Sequence, residues 1–241
     1  MTSHRLFCPE LRSGALTLGG EEARHAITSL RARLGQQVTL FDGAGSEAVA
    51  TIERVGKRHL HVFVHSVTCR PFELARRMTL AVAMPRTHRQ GYLIEKCTEL
   101  GVGAIWPMST HRSVARPDAG AVDKWARRAL EAGKQSQRAW LPAIEAPKPL
   151  KTWLARVEQF DAALVAQRDL AAVGLIEFLV ENAAARSILV FIGPEGGWTD
   201  EEVAACRSAG ASPTYLGPTV LRTETAAVTV CAAAAMLGSS D

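Results

Sequence analysis

The stretch Ile192-Gly193-Pro194-Glu195-Gly196-Gly197-Trp198 places three glycines within five positions. Lacking a Cβ, such backbone can approach a bound molecule closely and offer it N–H and C=O groups. It follows the apolar run Ser187–Ile192 and precedes Thr199-Asp200-Glu201-Glu202. That last run is a capping box, with Thr199 at the N-cap and Glu202 three residues on. No Gly-Lys-Ser/Thr follows, which excludes a Walker loop. The carboxylates at the helix start oppose an anion there, so a neutral or cationic ligand fits better. A tight strand-to-helix turn with a capped helix also accounts for these residues, and both readings stay open.

A second stretch, Leu216-Gly217-Pro218-Thr219-Val220-Leu221-Arg222-Thr223-Glu224-Thr225, joins another apolar run to the alanine-rich Ala226–Leu237. Arg222 and Glu224 are the only charged residues between Arg207 and Asp241. Two isolated charges at a strand end are candidates for acting on a substrate. An ion pair, or charges that serve the helix terminus, is the alternative.

Both stretches need elements that end at them. From Met78 onward, short apolar runs (Met78–Met84, Ala104–Met108, Ala162–Ala166, Ser187–Ile192, Thr214–Gly217) alternate with helical stretches near 90–100, 121–138, 171–183, 199–209 and 223–237. The alternation predicts an α/β domain with a parallel sheet covered by helices. Ligands bind beyond the C-terminal ends of strands in such sheets, which is where both stretches fall. The first ~70 residues differ. Val38–Phe41, Ala48–Val55 and His59–Val67, separated by Asp42-Gly43-Ala44-Gly45 and Gly56-Lys57-Arg58, predict a small antiparallel sheet or barrel. Ala23, Ile27, Leu30 and Leu34 predict one helix over Glu21–Leu34. A domain boundary is expected at 72/73, near Arg70-Pro71, and Pro142–Pro149 reads as a surface connection.

Composition excludes several classes. No segment reaches the ~20 apolar residues of a spanning helix, and the N-terminus lacks the order of a secretory signal. A cytoplasmic protein with no membrane or DNA partner is expected. Five scattered cysteines without a CxxC pair predict neither disulfides nor a zinc site. His59, His61 and His65 alternate onto one strand face, but no second ligand group lies nearby, so no metal is expected. Residues 1–138 hold 21 Lys/Arg against 12 Asp/Glu, and residues 139–241 hold 7 against 12. This asymmetry suits a polyanion contacted by one part of the molecule.

Leu-Gly-Pro-x-Val-Leu-Arg-x-Glu-Thr-Ala from Leu216, together with Ile-Gly-Pro-Glu-Gly-Gly from Ile192, resembles the bacterial 16S rRNA (uracil-3-)-methyltransferase family of the SPOUT superfamily. Further matches follow in order: Leu30-Arg31 to Gly35, Leu40–Gly43, Lys96 with Glu99-Leu100-Gly101-Val102, and Gln135 with Arg138 before Pro142. The resemblance implies a PUA-like N-terminal β-barrel over 1–72. It also implies a SPOUT domain over 73–241 whose parallel sheet carries a trefoil knot. A homodimer is expected, acting on 16S rRNA in or out of the small ribosomal subunit.

The expected cofactor is S-adenosyl-L-methionine, whose sulfonium is cationic. Carried over, the donor loops are Gly193, Glu195, Gly196 and Gly197, then Leu216, Gly217, Leu221 and Arg222. The expected reaction is methylation of ring nitrogen three of a uridine. Arg222 would stabilise charge on the base, and Glu224 would orient Arg222 or accept the proton. Arg5, Arg24, Arg31, Arg33, Lys57 and Arg58 are expected at phosphates. Arg112 and Arg138 are expected at RNA or between subunits. Lys96 and Glu99 also suit a helix-surface pair. The chain departs from the family pattern at Lys134, where relatives have Glu, and at Arg86-Thr87-His88, where they read Lys-Gly-Asp or similar. Neither Lys134 nor His88 inherits a role. The competing readings are a SPOUT ribose 2′-hydroxyl methyltransferase and a non-catalytic RNA-binding assembly factor.

Overall fold

A computed structural model describes residues 4–72, 74–115, 117, 119–169 and 171–238. The chain divides into two compact units, residues 1–73 with 133–141 and residues 74–132 with 142–241.

The first unit contains β1 (His4–Phe7), β2 (Gly14–Leu18), α1 (Gly20–Thr28), β3 (Gln37–Phe41), β4 (Ser46–Val55) and β5 (Leu60–Cys69). They form a five-stranded sheet in the order β1-β3-β4-β5-β2. β1 pairs parallel with β3, and the other pairs are antiparallel. Period-two alternation turns Val38 and Leu40, Ala48, Ala50 and Ile52, and Leu60, Val62 and Val64 into one core. Ala23 and Ala26 of α1 cover it. The helix is shorter than its apolar spacing predicts. Arg31 takes a left-handed φ of 50°, which an L-residue cannot adopt inside an α-helix. Leu30 still reaches the core, but Leu34 is left 72% exposed.

In the second unit follow β6 (Arg77–Ala83), α2 (Thr87–Glu99), β7 (Ala104–Ser109) and α3 (Ala121–Gln135), whose last turn belongs to the first unit. The predicted surface connection holds two short strands, β8 (Ala143–Ile144) and β9 (Lys148–Pro149). Next come α4 (Leu150–Leu154), β10 (Ala162–Gln167), β11 (Val173–Gly174), α5 (Leu175–Glu181) and β12 (Ser187–Ile192). The chain ends with α6 (Asp200–Ser208), β13 (Ser212–Tyr215) and α7 (Thr223–Gly238).

The eight strands form one sheet, β11-β13-β10-β12-β6-β7-β8 with β9 also on β7, and every pair is parallel. Because helices cover both faces, its strands are nearly unbroken apolar runs. Met78, Leu80, Val82, Ile188 and Val190 face one core with residues of α2, α5 and α7. Ala81, Ala83, Leu189 and Phe191 face the other, where Trp106 stacks on Trp153 at 4.7 Å. Buried Arg76 donates to the carbonyls of Leu179 at 3.0 Å and Ala183 at 3.4 Å. These lie at the C-terminal end of α5, where carbonyls lack helical partners and a cation is favoured. Among the described residues, no helix is long and apolar enough to cross a membrane.

Candidate active site

β12, β10 and β13 end side by side, with Ala166 opposite Ile192 and Gln167 opposite Tyr215. The loop after β12 is braced from three directions. Trp198 folds under Gly193 and donates its Nε1–H to the Ala166 carbonyl at 2.8 Å. A Cβ on Gly193 would stand 2.8 Å from that indole ring, so only glycine fits there. Arg112 at the end of β7 donates from Nη1 to the carbonyls of Gly196 and Trp198, both at 3.1 Å. The capping box closes the third side. Thr199 Oγ1 accepts from the Glu202 N–H at 3.2 Å, and Glu202 Oε2 accepts from the Thr199 N–H at 3.0 Å. The other oxygen, Oε1, accepts from the His111 N–H at 2.8 Å.

The loop after β13 runs from Leu216 to Arg222. Gly217 sits at φ 148° with open space where a Cβ would point. Thr223, the first residue of α7, donates its hydroxyl to the Gly193 carbonyl at 3.0 Å. That bond ties the two loops together. Between them, with the end of β10, they enclose a cavity of about 570 Å³, within the ~300–1,000 Å³ of small-molecule sites. Its wall is largely loop backbone and apolar side chains, with Arg112 and Arg168 against the single carboxylate of Glu195. Asp200, Glu201 and Glu202 therefore do not set the charge of the cavity. Glu202 is consumed as a cap, and none of the three lines the cavity.

Just beyond the loop junction stand the two isolated charges. Glu224 is only 7% exposed, with Oε1 3.5 Å from Nε of Arg89 on α2. Its Oε2 is buried with no hydrogen-bond partner. Arg222 is exposed and makes no ion pair among the described residues.

Comparison with known proteins decides the family. A family model described as an RNA methyltransferase domain matches residues 72–235, and one described as an RNA methyltransferase PUA domain matches 18–64. The ribosomal RNA small subunit methyltransferase E of Mycobacterium tuberculosis is 34% identical, over 91% of this chain and 86% of that protein. The Bacillus subtilis protein of the same name is 30% identical over 87% and 85%. This chain belongs to the ribosomal RNA small subunit methyltransferase E family. Solved structures agree. A Legionella pneumophila methyltransferase with bound SAM is 31% identical at a TM-score of 0.86, covering 97% of both chains. The family's Neisseria gonorrhoeae member, bound to S-adenosyl methionine, is 27% identical at 0.86 over 96% of both.

Within this RNA methyltransferase, the expected donor residues Gly193, Glu195, Gly196, Gly197, Leu216, Gly217 and Leu221 all line the one cavity, whereas Arg222 does not. Of the two roles expected for Glu224, orienting Arg222 or accepting the proton, the first has no ion pair behind it among the described residues, where Glu224 meets Arg89. Of the expected RNA contacts, Arg24, Arg31 and Arg33 are exposed. Arg5 and Arg138 are not. Arg5 is buried in an ion pair with Glu47, lies 4.4 Å over the Phe41 ring, and donates to the Arg138 carbonyl at 2.7 Å. Arg138 is 5% exposed, so a phosphate could reach neither without unpacking the unit. Arg112 braces the donor loop. Lys134 pairs with Glu22 inside the first unit, His88 and Gln135 are exposed, and Lys96 lies between Glu95 and Glu99.

Sequence reasoning passed over Gln167, Arg168 and Tyr215, which line the cavity, and Arg89. The strand-end rule points to the first three once β10 and β13 are placed. Arg89 carries no signal until α2 and α7 are packed together.

Proposed function

We propose that this chain transfers a methyl group from S-adenosyl-L-methionine to ring nitrogen three of a uridine in 16S rRNA. The observation that carries this is a glycine-built cavity whose two loops are tied by the Thr223–Gly193 hydrogen bond, with Arg222 and Glu224 flanking Thr223 in the chain. The names of the matched relatives supply the rRNA, and the bound SAM of two structural neighbours supplies the donor. The cavity suits that donor. Backbone at Gly196, Gly197 and Gly217 can bind its neutral polar groups, and Glu195, Arg112 and Arg168 offer counter-charges to its cationic and anionic ends. When bound, the donor supplies an electrophilic methyl carbon on a sulfonium.

The remaining work falls to the chain. A uracil N3–H is weakly acidic and must lose its proton for the nitrogen to attack. Glu224 takes that proton on Oε2, which has no hydrogen-bond partner and is buried until the bound RNA uncovers it. Arg222 stabilises the negative charge that grows on the flanking carbonyl oxygens. Arg24, Arg31 and Arg33 contact phosphates and position the RNA. The N-terminal domain ends at 72/73, with residues 133–141 returning to it, and the C-terminal domain carries the SPOUT trefoil knot. The protein acts in the cytoplasm as a homodimer on the small-subunit RNA.

Mapping modified nucleosides in 16S rRNA with and without the protein tests the reaction. The N3-methyluridine is expected to vanish without it. Ribose methylation in its place, or an unchanged map, overturns the proposal. Arg222→Ala is expected to abolish transfer while calorimetry still detects donor binding. Near-normal turnover of that variant removes Arg222 from the mechanism.

A further inference from the structure

The outward face of β5 has no part in the core or the donor cavity. Alternation sends Leu60, Val62 and Val64 inward and leaves His61, Phe63 and His65 on the other face. Phe63 is 40% exposed. Its cross-strand neighbours are Ala15 on β2 and Thr51 on β4, too small to cover an aromatic ring. The rings beside it are fixed. His65 meets Phe63 edge to face at 5.5 Å and 68°, with its Nε2 3.0 Å from Thr51 Oγ1. His61 lies between Thr17 Oγ1 at 3.0 Å and Arg54 Nη2 at 2.6 Å.

Charge singles out the same unit. The first unit holds eleven Lys/Arg against seven Asp/Glu and the second seventeen of each, so the net charge of +4 belongs entirely to the first. Arg54 touches the ring row, and Lys57 and Arg58 are exposed in the turn between β4 and β5.

We propose that this face is a stacking platform for unpaired RNA, an inference that rests on RNA being the substrate. Bases stack on the rings of His61, Phe63 and His65 while Arg54, Lys57 and Arg58 take the phosphates. Successive outward side chains on a strand stand ~6.7 Å apart, about twice the ~3.4 Å step of stacked bases. The rings therefore hold bases splayed, which a duplex does not permit and a single strand does. Phe63 and, on β4, Val49 are the exposed large apolar side chains of this face, and set among imidazoles and cations they make too small a patch for a protein partner.

The test uses the full chain and a fluorescein-labelled single-stranded oligouridylate of about ten nucleotides, read by anisotropy. Phe63→Ala and Phe63→Leu are each expected to weaken binding about ten-fold, and Phe63→Trp to bind like the parent. The leucine variant keeps apolar area and folding but has no π-face, so it separates stacking from packing. Arg54→Gln is expected to lower the slope of log K against log salt by about 0.7. A leucine variant that binds as well as the parent overturns the platform. So does an equal loss on duplex RNA of the same length, or a parent chain that binds no single strand. Methylation of small subunits by the parent is assayed in parallel. If the parent transfers no methyl group, the function proposed above fails; an active parent with an undiminished leucine variant sinks the platform alone.

Discussion

A carboxylate that takes a proton from a ring nitrogen needs a fixed direction and an unoccupied oxygen. Glu224 has both, since Arg89 lies 3.5 Å from Oε1 while Oε2 is buried without a hydrogen-bond partner. Sequence adjacency suggests Arg222 as its partner. Residues two apart at a helix start point to different sides, however, so neighbours in sequence are not neighbours in space. A positioning role for Arg89 makes a specific expectation. Arg89→Gln should lower kcat about ten-fold, because misdirecting a reacting group is costly, and should leave the donor Kd unchanged. Arg89→Lys keeps the charge and should recover part of the rate. Single-turnover kinetics beside donor calorimetry decide it; a weakened donor Kd at normal kcat would move Arg89 to the donor site.

Among the elements, those with local causes were legible from sequence. Ser187–Ile192 is a strand with the bounds its apolar run predicts, and Thr199 with Glu202 forms the capping box. What escaped has causes far along the chain. β1 exists because His4–Phe7 pairs with Val38–Phe41, and β8 because Ala143-Ile144 pairs with Ala104-Ile105. Neither segment shows enough periodicity to announce a strand. In the site, loop backbone was legible because glycine spacing is local, while Arg89 and the bracing by Arg112 depend on packing. One contact off the sheet fixes how β12 enters. Asp161 Oδ2 accepts from Ser187 Oγ and N–H, both at 2.8 Å, and from the Arg186 N–H at 2.9 Å. The Ser187 hydroxyl, then the two backbone N–H groups, hold the Asp161 carboxyl below the usual aspartate range. A carboxyl depressed in the folded state adds stability above its unfolded pKa and loses it as pH falls through the folded one. Asp161→Asn should thus lower the urea midpoint at neutral pH, and the gap to the parent should close in acid. A gap that stays constant through the acid range would show that the charge contributes nothing.

At the scale of the molecule, charge and cavity are divided between the two units. The first carries the net charge of +4 and the second is neutral, though its sheet ends hold the cavity. Donor binding should therefore stabilise the second unit, and salt should govern the RNA affinity of the first. A ligand that binds only the folded state at a hundred times its Kd adds about 2.7 kcal/mol. For a unit of this size each kcal/mol raises Tm by about 2–4 °C, so the transition of the second unit should rise by roughly 5–10 °C. S-adenosylmethionine should produce that shift, and ATP at the same concentration should not. ATP shares the adenosine but brings a polyphosphate, which offers no cation to Glu195, the carboxylate that lines the cavity. Differential scanning calorimetry with each ligand reads the outcome. An equal shift from ATP would mean that the cavity selects adenosine alone, and the assignment of a sulfonium donor would lose its physical basis.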